Sequence, residues 1–405
     1  MPAIHFLDVT NRDGVQTART GLPKFGKLML TMYLGRLGVA QSETGFPFLF
    51  HEVPYVRASV ALAEAGAFGR LRLSGWCRAV AADVEAALPL GLRHYNLSIS
   101  TSDQMIEHKF RGRLDRDAVI GEMTAAVAAA RAGGAQTIGV NAEDASRTDE
   151  KFLLEFALAA REAGAHRVRY CDTIGGETPA RIRDRMAALA SAAGLPVETH
   201  CHNDLGMAVA NSVSGALGDL DAGQDAWINT CVNGVGERAG NADLLSCLLA
   251  FRHGFGLQTE IGDPLDLSWG RRLALWASYA FGQPLPPGQP GTGHNAFAHE
   301  SGIHADGALK DRHNYELYDD GVLGPFPADW HARQGRVVLT GEYGGLAGFR
   351  HVMDGLSIEV AAEDLTFRLV QLCASATGKP LTDDELRFIA AYPHQLALLY
   401  PGLLS

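Results

Sequence analysis

The stretch RDAVIGEMTAAVAAARAGGAQTIGVN, residues 116–141, places a helix-like run directly before a strand-like run. The alanine-rich part ends in glycine, the residue best suited to close a helix. The apolar part that follows it, AQTIGVN, is typical of a buried strand. The next stretch, DEKFLLEFALAAREAGAHRVRYCD over residues 149–172, repeats the same order. Helices and strands that alternate in this way predict parallel βαβ units.

The same alternation occupies the first two thirds of the chain. Eight segments qualify as strands: IHFLDV, VAQSETG, LRLSGW, RHYNLSI, AQTIGVN, HRVRYCD, PVETHCH and AWINTCV. Three cysteines recur near strand ends at intervals of one βα unit, at positions 171, 201 and 231. Eight βα units in about 250 residues favour an α/β fold of the (β/α)8 barrel type. A doubly wound open sheet is the alternative, although no glycine-rich dinucleotide loop follows the first strand.

Composition changes after the predicted barrel. The segment FGQPLPPGQPGTG, residues 281–293, is rich in proline and glycine, and a histidine-dense segment follows it. We expect a catalytic barrel over residues 1–270, a linker subdomain over 271–330 and a small helical subdomain over 331–405. In the last part, Thr382 followed by Glu385 predicts a capping box at the start of a helix.

Charge and composition exclude several classes of function. The 405 residues carry a net charge of −11 without a basic run, which argues against nucleic-acid binding. No apolar run reaches membrane-spanning length, and the N-terminus lacks the pattern of a signal peptide. The six cysteines show no paired spacing, so we expect reduced thiols in a cytoplasmic protein.

Two histidines at the end of the seventh predicted strand give the strongest indication of a functional site. Side chains at positions i and i+2 of a strand point to one side, so His200 and His202 can share a divalent metal. A carboxylate from another strand end, such as Asp13, would complete the ligand set. Two nitrogens and one oxygen suit Mn²⁺, Co²⁺, Zn²⁺ or Mg²⁺. The alternative is a pair of histidines in a surface loop.

Two further charged residues follow predicted strands. Arg12 lies beside Asp13, where a cation can stabilise negative charge that develops on a substrate oxygen. Alternatively, Arg12 forms an ion pair with Glu43 or Asp172. Glu143 follows the fifth strand and can orient a substrate or exchange a proton. Alternatively, Glu143 is a solvated acid before a helix, where its charge complements the helix dipole.

Seven motifs in a fixed order resemble one enzyme family. They are DVTNRDGVQ, ETGFP, AEDASRTD, DTIGGETP, HCHNDLGMAVAN, NGVGERAGN and HESGIHADG. The same order occurs in the 2-isopropylmalate synthase and homocitrate synthase family, which are barrel enzymes of the DRE-TIM metallolyase superfamily. The resemblance covers nearly the whole chain. It implies a divalent metal and a Claisen condensation of acetyl-CoA with a 2-oxo acid, followed by thioester hydrolysis.

The resemblance also implies roles for single residues. Asp13, His200 and His202 are similar to the metal ligands, and Asn241 is expected near the metal. Arg12 resembles the residue that stabilises the oxo-acid carbonyl and the developing alkoxide.

The same resemblance implies the groups that act on the two substrates. Glu143, His304 and Tyr315 resemble the set that enolises acetyl-CoA, and Thr178 resembles a residue that binds the oxo-acid carboxylate. In the family this histidine reaches the site of a neighbouring subunit, which implies a homodimer with crossed sites.

Departures from the common motifs indicate a divergent branch. Val15 replaces a glutamate, Met105 replaces a histidine, and GEYGG at residues 341–345 replaces GKHSG. The branch is similar to the Re type of citrate synthase and to the synthases for phosphonomethylmalate or phosphinomethylmalate, as well as to homocitrate synthases. We expect no leucine-regulatory domain, because the chain ends soon after the subdomains.

Polar residues near the predicted substrate pocket favour an oxo acid with two negative groups. Gln16 ends the first strand, Arg78 ends the third, and His94 lies on the fourth, where a helix-facing orientation is the alternative. Such a pocket favours 2-oxoglutarate, oxaloacetate or phosphonopyruvate, because an apolar tail would leave the polar groups unpaired.

Three other functions remain as alternatives. The first is a 2-isopropylmalate or citramalate synthase. The second is a carbon–carbon lyase like hydroxymethylglutaryl-CoA lyase, which carries a cysteine in the loop after strand eight, whereas this chain has GVGERAG there. The third is a metal-binding barrel without catalysis, against which the joint presence of Arg12, Glu143, His304 and Tyr315 argues.

Overall fold

The computed structural model describes residues 2–258, 261–325, 340–342 and 344–403. Its first part contains eight parallel strands, which fall on the eight segments predicted from the sequence. The strands are β1 (Ile4–Asp8), β2 (Gln41–Gly45), β3 (Arg72–Arg78), β4 (His94–Ser100), β5 (Thr137–Glu143), β6 (Arg167–Asp172), β7 (Val197–Cys201) and β8 (Ala226–Thr230).

The strands form one closed barrel in sequence order. β1 pairs with β2, where Leu7 lies opposite Gln41, and also with β8, where Phe6 lies opposite Ile228. This closure confirms the (β/α)8 barrel and excludes the open sheet. Because the strands are parallel, all their carboxyl ends meet at one rim of the barrel.

Helices connect the strands and surround them. The helices of the barrel are α1 (Lys24–Leu37), α2 (Val53–Glu64), α3 (Ala81–Ala87), α4 (Asp103–His108), α5 (Arg116–Ala132), α6 (Glu150–Ala163), α7 (Pro179–Ala193), α8 (Ala208–Asp221) and α9 (Leu244–His253). The predicted closing glycines are confirmed, since Gly133 is the C-cap of α5 and Gly164 is that of α6. Gly164 has a φ of 103°, a conformation that favours glycine.

Apolar residues hold the helices on the outside of the barrel. In α6 the buried face consists of Phe152, Leu153, Phe156, Ala157 and Ala160. These residues repeat at intervals of three to four, which places them on one side of the helix. Burying each large side chain contributes about 1.5–3 kcal/mol. The core between the helices and the sheet is therefore apolar, and the polar residues of the strands lie elsewhere.

The inside of the barrel is filled by charged side chains. Arg167 and Arg169 alternate along β6, and both donate to Glu198 of β7, with N–O distances of 2.6 and 2.5 Å. Gly139 of β5 gives this network room, because a Cβ there would lie 2.4 Å from Oδ1 of Asn96. Paired charges can be buried at this depth because each has hydrogen-bond partners.

Further helices follow the barrel: α10 (Gly270–Phe281), α11 (Gly302–Lys310), α12 (Leu346–Gly355), α13 (Glu363–Thr377), α14 (Asp383–Ala391) and α15 (Pro393–Ala397). The predicted capping box is confirmed at α14, where Thr382 and Glu385 each accept from the backbone N–H of the other. The expected boundary between residues 330 and 331, and Tyr343 of the GEYGG segment, lie outside the described residues.

Two general expectations can be compared with the structure. All six cysteines are buried as free thiols. Among the helices in the described part of the chain, none combines the length and the apolar character needed to cross a bilayer.

Candidate metal and substrate site

Three buried side chains converge at the carboxyl-terminal rim of the barrel. His200 lies in β7, His202 follows that strand, and Asp13 lies in the loop after β1. One ligand atom from each residue lies within 4.8 Å of the other two. A backbone bridge pairs His202 with Asn241, which brings the asparagine to the same place. The structure thus assembles the four residues that the sequence proposed as a metal site.

Hydrogen bonds fix the orientation of His200. Its Nδ1 lies 2.7 Å from Oδ1 of Asn229, and the amide nitrogen of Asn229 donates to Glu198 at 2.8 Å. Since Oδ1 can only accept, Nδ1 carries the proton and Nε2 presents its lone pair. Nε2 lies 3.6 Å from Oδ2 of Asp13. Outer partners of this kind orient metal-binding histidines.

The protonation states also suit a metal. Burial raises the pKa of Asp13, but Arg12 and the two histidines outweigh burial, so the net pKa is lowered. Burial and the neighbouring His202 lower the pKa of His200 to about 3, and burial lowers the pKa of His202. A charged carboxylate and neutral imidazoles are the forms that bind metal ions.

Two buried atoms in the cluster have no hydrogen-bond partner. They are Nδ1 of His202 and Oδ1 of Asn241. The amide nitrogen of Asn241 donates to Oδ1 of Asp13 at 2.9 Å, which leaves its oxygen available. Buried polar atoms are normally paired, so these two atoms are suited to bind a ligand. A divalent cation fits this donor set.

Arg12 connects the cluster with the charged interior of the barrel. Its Nη1 donates to Asp13 at 2.6 Å and its Nε donates to Glu43 at 2.7 Å. The ion pair with Glu43, one alternative left open by the sequence, therefore exists. The guanidinium also lies over Trp76, 5.5 Å from the ring centroid, and lines a cavity. Arg12 thus has both a structural partner and access to a substrate.

A chain of ion pairs continues below Arg12. Glu43 accepts from Arg169 at 2.7 Å as well as from Arg12, and Arg169 continues the chain to Glu198. Burial raises the pKa of Glu43, but Arg169 and Arg12 outweigh it and the net pKa is lowered. Sequence reasoning missed Arg169 and Glu198. The signal was available in the period-two charges of RVR and ETH, which place them on the same side as the histidines.

The cluster borders a cavity of about 180 Å³. Its walls are lined by Arg12, Asp13, Gln16, Phe46, Trp76, Ser98, Asn141, Glu143, Arg169, Cys171, Thr173, His200, His202 and Glu237. Among the described residues, no valine, leucine or isoleucine lines this cavity. The walls are therefore polar and aromatic, and the predicted residues Gln16 and Glu143 are among them.

Three predicted substrate residues do not line the cavity. Arg78 is 60% exposed and donates to Asp83. His94 begins β4, at the strand end opposite the cavity rim, where its Nδ1 lies 2.7 Å from Thr137. Thr178 is exposed before α7, whereas Thr173, closer to the end of β6, lines the cavity. Period two correctly placed His94 on the side of Asn96, but it gives no depth along the strand.

Glu143 reaches the cavity at the end of β5. Oε2 accepts from the Ser100 hydroxyl at 2.6 Å, and both carboxylate oxygens accept from Lys109, at 2.7 and 2.6 Å. Glu143 is therefore held by specific partners, in contrast to a freely solvated loop acid. Lys109 had no role in the sequence analysis, because it follows a short helix and lies far from Glu143 in sequence.

His304 and Tyr315 lie in the segment after the barrel. Their ring centroids are 4.4 Å apart, and Gly307 permits this contact, because a Cβ there would lie 2.3 Å from Tyr315. His304 is exposed and Tyr315 is 43% exposed. The structure brings these two residues together, but neither lines the cavity of the same chain.

Comparison with known proteins assigns the family. The HMGL-like family matches residues 3–265, and the family of homocitrate synthase post-HMGL domains matches residues 292–374. The chain is 51% identical to the citrate (Re)-synthase of Dehalococcoides mccartyi, over 97% of this chain and 96% of that protein. The chain belongs to the HMGL-like family. Within that family it is a Claisen-condensing member of the DRE-TIM group.

Other HMGL-like proteins agree with this assignment. The chain is 36% identical to 2-isopropylmalate synthase 2 of Caldanaerobacter subterraneus, over 95% of this chain and 94% of that protein. The hydroxymethylglutaryl-CoA lyase of Pseudomonas aeruginosa shares the fold, with a TM-score of 0.57 at 19% identity, over 70% of this chain and 95% of that one. This HMGL-like chain is therefore an enzyme, an acyltransferase that converts acyl into alkyl groups on transfer.

Proposed function

We propose that this enzyme condenses acetyl-CoA with a dianionic 2-oxo acid in the barrel cavity and releases CoA. The product is a 2-hydroxy-2-carboxymethyl acid. The observation that carries the proposal is the joint presence of a three-ligand cluster and a polar cavity without aliphatic walls. Oxaloacetate is our first choice of substrate, and 2-oxoglutarate and phosphonopyruvate follow it.

The cluster and Arg12 would hold the reacting end of the oxo acid. A divalent cation on Asp13, His200 and His202 would polarise the ketone and bind the adjacent carboxylate. Arg12 donates to Asp13 and lines the same cavity, so its guanidinium would lie close to a ketone oxygen held by the cluster. Its positive charge would stabilise the alkoxide that forms when the new carbon–carbon bond closes. Asn241 orients Asp13 through its amide nitrogen.

Glu143 lies on the cavity wall, in a place suited to act on acetyl-CoA. A carboxylate at this position can orient or exchange the α-proton of the acetyl group. His304 and Tyr315 complete the set of groups that the resemblance assigns to enolisation. Because neither lines the cavity of its own chain, we propose that a second copy supplies them.

Exposed apolar residues support the binding of a second copy of the chain at this segment. Ile303 is 76% exposed, Leu309 is 88% exposed and Leu317 is 57% exposed, all in the segment that carries His304 and Tyr315. Three large apolar side chains around one exposed helix indicate a surface that binds another protein. A homodimer with crossed sites would cover them and place His304 at the neighbouring cavity.

The walls of the cavity support a substrate with a second anionic group. Ser98 and Thr173 offer hydroxyl groups at the wall, and a branched apolar tail would leave these donors unpaired. This argues against a 2-isopropylmalate synthase. Among dianions, oxaloacetate is favoured by the likeness to the citrate (Re)-synthase. A cavity of about 180 Å³ also suits a small acid.

Thiol release tests the proposal directly. Purified enzyme is incubated with acetyl-CoA, oxaloacetate and Mn²⁺, and free CoA is measured with a thiol reagent, with and without EDTA. We expect CoA release that requires both the oxo acid and the metal, and a product with the mass of citrate. Cleavage of hydroxymethylglutaryl-CoA without any condensation would instead support the lyase alternative, and no turnover in either assay would contradict both.

A further inference from the structure

We propose that Lys109 is a positioning residue that acts on the reaction through Glu143. The inference rests on the function proposed above and extends it to a residue outside the cavity wall. The Lys109 ammonium donates to both oxygens of the Glu143 carboxylate, at 2.7 and 2.6 Å, and to the hydroxyl of Ser100 at 3.1 Å. All three of its N–H donors therefore have acceptors in one place.

Ser100 completes this arrangement. Its hydroxyl donates to Oε2 of Glu143 at 2.6 Å, so the carboxylate is held by two different groups. Thr101 adds a backbone contact, since its N–H donates to the carbonyl of Glu143 at 3.0 Å. Charge-assisted hydrogen bonds of this kind fix the plane of a carboxylate as well as its position.

The segment that carries Lys109 is itself attached to the strand end of Glu143. Ser102 caps α4 by accepting from the N–H of Met105, and its hydroxyl bonds to Asp144. The N–H of Lys109 donates to the carbonyl of Met105 at 2.9 Å, which closes the helix. Asp144 has a φ of 68°, in the left-handed region that aspartate adopts more readily than most residues. The segment from Ser102 to Lys109 thus holds both Glu143, the last residue of β5, and Asp144 after it.

The charges around the cavity explain how the ion pair between Lys109 and Glu143 can assist the reaction. The cavity is lined by three carboxylates, from Asp13, Glu143 and Glu237, but by only two guanidinium groups. A substrate with two negative groups would meet repulsion from an isolated Glu143. The Lys109 ammonium compensates that charge from behind the wall, while the carboxylate remains available as a base.

If Lys109 had only a structural role, its replacement would change stability more than turnover. The Lys109 side chain is 50% exposed and that of Glu143 is 28% exposed, and ion pairs with such exposure contribute little to stability. Lys109→Met should therefore fold normally, whereas its turnover should fall. A guanidinium keeps the charge and the donors, so Lys109→Arg should recover part of the lost activity.

The experiment compares four proteins by steady-state kinetics with acetyl-CoA, oxaloacetate and Mn²⁺. They are the wild type, Lys109→Met, Lys109→Arg and the matched control Lys151→Met, which removes an exposed lysine on α6. We expect Lys109→Met to lower kcat about 10–100-fold, the range seen for outer-shell partners, with KM for oxaloacetate changed less than about threefold. Lys109→Arg should have a kcat at least threefold above that of Lys109→Met, and Lys151→Met should match the wild type.

A second background tests whether Lys109 acts through Glu143. In Glu143→Gln enzyme, assayed by product mass over long incubation, adding Lys109→Met should change the residual rate less than about threefold, since coupled residues are not additive. A further tenfold loss there, a wild-type kcat in Lys109→Met, or equal damage in Lys109→Met and Lys109→Arg would overturn the inference.

Two controls keep the outcome clear. Should Lys109→Met fail to fold, Ser100→Ala replaces it, with an expected three- to tenfold loss of kcat; an unchanged kcat there would overturn the proposal. A wild type without thiol release would show that the proposed function fails, whereas an active wild type with an unaffected Lys109→Met would show that only this inference fails.

Discussion

The cavity of the barrel and the segment after it carry the two halves of the candidate catalytic set in different ways. In the barrel, Asp13, His200 and His202 are buried and lie within 4.8 Å of each other. In the segment, His304 and Tyr315 contact each other but face solvent. The first half lies within one chain, and neither residue of the second half lines the barrel cavity of that chain.

The difference shows what each half requires from its surroundings. Ligands for a metal need fixed positions, and parallel strand ends provide them because eight strands share one rim. Groups that act on a large second substrate must permit its entry, and a mobile or intersubunit element can provide that. We therefore expect changes in the barrel to act within one chain and changes in the segment to act between chains.

Loss of a metal ligand should have the largest effect. His202→Ala should lower metal-dependent turnover at least about 10³-fold, more than the 10–100-fold typical of an outer-shell partner. The variant should still fold, because Nδ1 of His202 has no hydrogen-bond partner in the protein and the substitution breaks no hydrogen bond at that atom. Thermal unfolding and thiol release measure the two effects. The matched control is His94→Gln, which changes another barrel histidine away from the cavity. Full activity in His202→Ala would refute the ligand assignment.

Loss of the exposed histidine should have the next largest effect. His304→Ala should lower turnover about 10²-fold or more, as expected for a general acid or base. Mixing it with Arg12→Ala should restore activity, because a crossed heterodimer has one intact site. Complete statistical exchange would give about a quarter of wild-type activity. Mass-tagged subunits verify the exchange, and proven exchange without recovery would place both residues in the same chain's site.

Much of the barrel could be predicted from sequence because its signals are local. Several strands contain a short apolar run, and helices such as α5 and α6 end in glycine. The two histidines were also accessible, since period two within one strand needs no tertiary information. Contacts between distant strands were not. The ion pair of Arg169 with Glu43 joins residues 126 positions apart, and no local pattern links them.

The sequence also did not show how far along its strand a residue lies from the cavity rim. His94 and Asn96 share one side of β4, but only Asn96 reaches the ion-pair network, where it donates to Glu43. After β6, the sequence predicted that Thr178 binds substrate, whereas Thr173 lines the cavity. A motif gives the order of residues along the chain but not their distance from the cavity. Tertiary closure of the barrel decides which end of each strand borders the substrate.

An outer partner of the metal ligands should have an intermediate effect. Asn229→Ala removes the acceptor for Nδ1 of His200 and should weaken Mn²⁺ binding about 10–100-fold. Turnover at saturating Mn²⁺ should recover much of the loss, because the ligands themselves remain. Isothermal titration of metal-free protein measures the affinity. An unchanged affinity would show that the orientation of His200 has another source.

The smallest effect concerns a histidine away from the cavity. Burial, together with Arg72 and Arg167, lowers the pKa of His94 to about 4, against an unperturbed value of about 6.5. Between these values the unfolded chain binds the extra proton and the folded chain does not, so stability falls as pH decreases from about 6.5 to 4. His94→Gln should flatten this decrease by at most about 1.4 kcal/mol per pH unit. Urea unfolding of the wild type and of His94→Gln at pH 5 and pH 7 gives the change in the free energy of unfolding with pH. An equal change in both proteins would contradict the lowered pKa of His94.

The preference among oxo acids tests the central claim most directly. kcat/KM is measured for oxaloacetate, 2-oxoglutarate, phosphonopyruvate and 2-oxoisovalerate at saturating acetyl-CoA and Mn²⁺. The polar walls, which include the hydroxyl groups of Ser98 and Thr173, predict that a dianion, and oxaloacetate first, has the highest value, with 2-oxoisovalerate at least tenfold lower. A higher kcat/KM for 2-oxoisovalerate would contradict the account and make this enzyme a 2-isopropylmalate synthase.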